Sequence, residues 1–182
     1  VIAYTNTAAT VSPFYEIKVA GTTGPFTANE ATDRYEFSPS ATLLDSGDYV
    51  IAWISSTATD PFAYTIVGEI FTPGDGAVGG GNITLSPSLV DDFRPTRMTV
   101  SAVEGGFVLV AQYEVNDTDS VDGSGTAIVW RMFDNTGAET EAGGVLNTNT
   151  DYDQYDPAVV GLVGGGFVAV WTDNAGDENG SC

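Results

Sequence analysis

Three aspartates, Asp117, Asp119 and Asp122, fall within six residues of one another in the stretch N-D-T-D-S-V-D-G-S-G, and Gly123 follows them. Calcium takes six to eight oxygen ligands at loose geometry, and carboxylates one or two positions apart on a glycine-containing loop supply several of them. The stretch lacks the bidentate acid that completes an EF-hand loop, and it is not a glycine-rich nonapeptide. Two readings stay open: a calcium site on Asp117, Asp119 and Asp122, or an acidic turn that is simply solvated. A second cluster, Asp173, Asp177 and Glu178, lies in the corresponding place further along the chain. A third, Asp151, Asp153 and Asp156, precedes Pro157 and is matched by Asp33 and Glu36. Its side chains are expected to accept backbone bonds in the turn before a strand.

Hydrolytic chemistry finds little support. The chain contains no histidine, and its single cysteine is Cys182. A serine or cysteine nucleophile working through imidazole is therefore excluded for this chain alone, and zinc lacks its usual nitrogen and sulfur ligands. Two carboxylates about 5 to 10 Å apart can hydrolyse a glycoside, but among 25 acids such a pair arises by chance. S-V-D-G-S-G-T-A (residues 120–127) approaches the aspartate box of propeller sialidases, yet Ser124 stands where glycine is required and no aromatic closes the motif. No enzymatic activity is expected. Trp53, Trp130 and Trp171 would suit a carbohydrate platform, although their place in apolar strand patterns makes them core residues first. Asn82, Asn116 and Asn179 open glycosylation sequons.

The net charge is −20, with Lys18, Arg34, Arg94, Arg97 and Arg131 the only cations. Such a surface repels nucleic acid and anionic lipid, whose binding depends on basic side chains. Cations are the natural partners. No run approaches the roughly 18 to 20 apolar residues of a membrane span.

The elements that would position these groups follow from a repeated pattern. P-A-V-V-G-L-V-G-G-G-F-V-A-V-W-T-D (157–173) has earlier counterparts at 39–53 and 95–111, and the aromatic opening each second run, Tyr49, Phe107 and Phe167, recurs at intervals of 58 and 60 residues. Apolar runs meeting at glycine turns predict an all-β chain of three four-stranded antiparallel repeats, packed as propeller-like blades or as an open stack or sandwich. The units are residues 14–62, 63–125 and 126–182, the last reaching into the lead-in of a fourth copy, and residues 1–13 form an extra strand. Phe167, Ala169 and Trp171 fall on one strand face and Val168 and Val170 on the other, a pattern for strands buried on both sides. Closed propellers need about four to eight blades, so three units predict a longer array or a stack completed by another chain.

A-I-V-W-R-M-F-D-N-T-G (127–137), V-L-N-T-N-T-D-Y-D-Q-Y-D-P (145–157) and G-G-G-F-V-A-V-W (164–171) resemble the tandem units of about sixty residues found in very large secreted bacterial proteins, often beside calcium-binding nonapeptide arrays of the hemolysin type. The first two copies depart from it: Ala111 stands where Trp53 and Trp171 stand, and D-Q-x-x-P becomes R-Y-E-F-S-P or D-F-R-P. The resemblance implies an extracellular or cell-surface, propeller-like segment without enzymatic activity.

Two functions follow. One is a structural protein of a surface fibre, assembling by strand exchange in the manner of donor-strand pili, with residues 1–12 pairing with a neighbouring subunit. The other is an adhesion or glycan-binding module stiffened by calcium.

Overall fold

The computed structural model describes residues 2–7, 15–29, 34–57, 64–86, 93–115 and 125–174. These residues are all-β, with no helix among them. β1 (Ile2–Thr7), β2 (Tyr15–Ala20) and β3 (Pro25–Thr27) make a three-stranded sheet. β4 (Arg34–Leu43), β5 (Tyr49–Thr57), β6 (Tyr64–Phe71) and β7 (Ala77–Thr84) make a four-stranded sheet in chain order. β8 (Phe93–Val103), β9 (Gly106–Val115), β10 (Thr126–Asp134) and β11 (Glu139–Val145) make a second of the same order. β12 (Gln154–Gly161) and β13 (Phe167–Asp173) form a two-stranded sheet. Among the described residues all pairings are antiparallel, and none of the four sheets closes on itself.

Local sequence accounts for the hairpins. Between β4 and β5 the residues D-S-G-D turn the chain: Leu44 N–H donates to the Asp48 carbonyl at 2.8 Å and Gly47 N–H to the Leu44 carbonyl at 3.0 Å. Gly47 sits at φ 91°, where a side chain would be strained. The outer strands β4, β8 and β12 each carry a bulge, between Phe37 and Ser40, Pro95 and Arg97, and Tyr155 and Ala158. A proline lies at each of them, Pro39, Pro95 and Pro157, where a ladder donor is missing in any case.

Sheets and sequence units are cut differently. The four strands of residues 14–62 are β2, β3, β4 and β5, yet β3 does not pair with β4; β4 and β5 share a sheet instead with β6 and β7 from the next unit. The expected three sheets of four strands are thus two of four, one of three and one of two. The segment read as surplus supplies β1, which pairs with β2 of its own chain over Ile2↔Ala20 to Thr7↔Tyr15.

The sheets stack face to face in chain order, through three apolar clusters. Tyr49, Ile51, Trp53 and Phe71 pack against Ile17 and Val19 of the first sheet. Val50, Ala52, Ile54, Ile66 and Ile70 pack against Val100, Phe107, Leu109 and Phe133 of the third. Val108, Val110 and Ile128 then meet Val159, Phe167, Ala169 and Trp171 of the fourth. Alternate residues of β5 and β9 thus serve opposite neighbours, and Trp53, Val50, Val108 and Val110 are wholly buried. Burying a large apolar side chain contributes about 1.5 to 3 kcal/mol, so these rows hold the stack.

One glycine is required by the stacking. A Cβ on Gly161 would fall on the Ala102 carbonyl oxygen, so β12 approaches β8 as closely as it does only because the side chain is absent.

Candidate functional site

Polar groups line the seams between sheets at the ends of the hairpins. At the first seam Asp75, in the β6–β7 turn at φ 61°, reaches the β2–β3 turn. Its carboxylate accepts Thr23 Oγ1–H at 2.6 Å, Thr23 N–H at 2.7 Å and the Tyr49 hydroxyl at 2.6 Å. The Thr23 hydroxyl and then Tyr49 hold the Asp75 carboxyl well below the usual carboxylate range. Burial, followed by the bond to Asp75, pushes the Tyr49 phenol up.

At the second seam Asp45 accepts Gly105 N–H at 2.8 Å and Asn135 Nδ2–H at 2.6 Å, and these two bonds, Gly105 first, lower its carboxyl. The hydroxyls of Ser40 and Thr42 accept the backbone N–H groups of Val100 and Ala102, each at 3.1 Å. At the third seam Ser101 Oγ accepts Gly161 N–H at 2.9 Å, and Gln112 Oε1 accepts Asp156 N–H at 3.1 Å.

The acidic group before Pro157 divides. Asp153 caps β10 by accepting Thr126 N–H at 3.1 Å, a backbone bond to a distant strand rather than within its own turn, and also takes the Tyr155 hydroxyl at 2.7 Å. Asp156 pairs with Arg97 at 2.8 Å on the exposed surface, where such a pair contributes little. Asp151 is exposed and donates its own N–H to Asn149 Oδ1 at 3.2 Å. Glu36, wholly buried, accepts the Ser55 hydroxyl at 3.0 Å. Asp117, Asp119 and Asp122 lie outside the described residues, as do Asp33, Asp177 and Glu178. Among the described residues no three acids, histidines or cysteines converge on a metal position. Asp173 accepts Asn149 Nδ2–H at 3.4 Å.

The tryptophans do not form one surface platform. Trp53 is wholly buried, and Trp130 packs on Phe167 with ring centroids 5.1 Å apart in the cluster that also holds Trp171. A cavity of about 290 Å³ opens beside the first seam, lined by Thr22, Ala41, Thr42, Leu43, Tyr49 and Pro73. It presents no carboxylate. The carboxylates of Asp75, Asp45 and Asp153 are engaged in joining elements of the fold, so their arrangement fixes sheet against sheet.

The feature that sequence reasoning missed is the outer face of β12–β13. Val168 and Val170, read as buried, are 47 % and 60 % exposed, and Val160 beside them 56 %. Strand pattern alone carries no signal for this, because β9 has the same pattern and is covered on both faces. The role of β1 did have a signal: V-I-A at 1–3 and P-F at 13–14 return as V-I-A at 50–52 and P-F at 61–62, around β5. Compared with protein-family models, curated proteins and solved structures, the chain matches none.

Proposed function

We propose that the chain is a non-enzymatic structural segment of an extracellular β-sheet array, built of blade-like sheets and associating with copies of itself. The observation that supports it most is the repeated seam. Ala102 N–H bonds the Thr42 hydroxyl, and Gly161 N–H bonds the Ser101 hydroxyl, across successive pairs of sheets at the same sixty-residue separation. One mode of stacking used twice is a mode that can be used again, as in solenoid and propeller proteins. The acidic surface of net charge −20 suits an exported protein kept soluble among its neighbours. The carboxylates Asp45, Asp75 and Asp153, bonded within the fold, speak for scaffold rather than catalyst. β1 bonds to β2 of its own chain, so association through that edge has to exchange β1 for a strand of another copy. Sedimentation velocity over a wide concentration range, with negative-stain images, tests the reading. Species growing beyond a dimer are expected; a single chain at every concentration overturns it.

A further inference from the structure

We propose that β12–β13 docks onto a second copy of this chain, with β13 taking the place of β1 beside that copy's β2, so that β12, β13, β2 and β3 form one four-stranded sheet across two molecules. The proposal rests on the self-associating structural reading and supplies its surface.

The exposed valines occupy positions that are interfaces elsewhere in the same molecule. Hairpin register makes Phe167, opposite Gly161, the counterpart of Phe107, opposite Ala102, and of Tyr49, opposite Leu43. Val168 and Val170 therefore correspond to Val108 and Val110 and to Val50 and Ala52, all 0 % exposed against the following sheet. Two half-exposed valines with Val160 beside them make an apolar face continuous in phase with two covered ones.

Among the described residues the edge of the same sheet is open as well. In the two full sheets the second strand pairs with the third, β5 with β6 and β9 with β10. Among the described residues β13 pairs with β12 alone, and an unpaired strand edge is a template for another chain. In the three-stranded sheet, β1 fills beside β2 the place that β5 fills beside β6.

β1 and β13 are versions of one strand. V-I-A-Y-T-N (1–6) aligns with V-A-V-W-T-D (168–173) without a gap, which makes Ala3 the counterpart of Val170. Ala3 pairs with Val19 and packs against the cluster of Tyr49, Ile51 and Trp53. A valine in its place buries more apolar surface against the same residues, which favours exchange. β12 would then lie against the second copy's β4, as it lies against β8 in its own chain, and Val160 would be covered there. At that position β4 and β8 present Thr42 and Ser101, so this seam is more apolar than the two within the chain.

Charge is the opposing term. Asp173 would stand where Asn6 faces Glu16, and each chain carries −20, so association strengthens as salt screens the repulsion. The contact joins different surfaces of the two copies, so it propagates rather than closing on itself.

The test uses the full chain at high ionic strength, followed by sedimentation velocity. Val168→Asp and Val170→Asp alter side chains already exposed in the single chain, so circular dichroism and melting should match the parent while association is lost. In a Cys182→Ser background, mixing chains carrying Asp173→Cys with chains carrying Glu16→Cys under oxidising conditions should yield a disulfide between positions 16 and 173 of different molecules. Oligomers that persist with Val170→Asp and form no 16–173 cross-link would overturn this route and leave the structural reading standing. Growth that stops at a dimer means that like faces meet, and overturns it too. A parent chain that stays single at all concentrations overturns both.

Discussion

Ala102 donates its backbone N–H to the hydroxyl of Thr42 at 3.1 Å, across sixty residues and from one sheet to the next. Gly161 makes the corresponding bond to Ser101 at 2.9 Å. A net contribution of about 1 kcal/mol is usual for a bond of this kind. Thr42→Val and Ser101→Ala should each lower stability by about that amount. Urea unfolding midpoints check this, with the slope unchanged.

At Gly161 β12 runs close against the backbone of β8. Gly161→Ala would place a methyl group on the Ala102 carbonyl oxygen, and the strands must separate to admit it, a cost of about 1 to 3 kcal/mol. Gly144→Ala, where an added Cβ meets nothing within 4 Å, should change stability by less than about 0.5 kcal/mol. Equal losses at the two sites would argue against a tight seam.

Asp75 makes stability depend on pH in a stated direction. Its folded-state carboxyl is held below the ordinary value by Thr23 and Tyr49. Its contribution is therefore fully present above the unfolded value of about 4 and is lost as pH falls towards the folded one. Melting temperature should drop as pH is lowered from about 5 to about 2, and Asp75→Asn should begin lower at neutral pH and fall less. The Tyr49 phenol, raised by burial and by Asp75, acts at the other end: its contribution is present below the unfolded value of about 10 and is lost above it. Tyr49→Phe should flatten the alkaline limb of the same profile.

Divalent ions separate a calcium site from a solvated acidic turn at Asp117, Asp119 and Asp122. In a scaffold of net charge −20 without a dedicated site, calcium and magnesium should raise the melting temperature equally, by screening alone. A rise with calcium that magnesium does not match, removed by Asp119→Asn, would assign the loop a specific ion by mass action.

The strands were legible in the sequence because their apolar rows are. Tyr49 and Phe167 are the first residues of β5 and β13 and Phe107 the second of β9, and the D-S-G-D turn closes the hairpin it was expected to close. Which strands share a sheet was not legible. The link from β5 to β6 stays within one sheet and the link from β3 to β4 crosses to the next, yet both span six residues. Loop length therefore could not tell hairpin from crossover. Trp53 read correctly as core. Asp75 carried no marking in the sequence, since its partners Thr23 and Tyr49 lie 52 and 26 residues away. Exposure of Val168 and Val170 was hidden for a related reason: burial of a strand face is a property of the neighbouring sheet, and the strand's own residues do not state it.

The sheets stack in chain order, and β5 and β9 each serve both neighbouring sheets. Val50, Val108 and Val168 hold one structural position in three successive sheets, 0 %, 0 % and 47 % exposed. Chemical denaturation of the dilute single chain should show Val50→Ala and Val108→Ala each costing about 2 kcal/mol, and Val168→Ala less than about 0.5 kcal/mol. Comparable losses at all three positions, or tolerance at Val108, would contradict the stack.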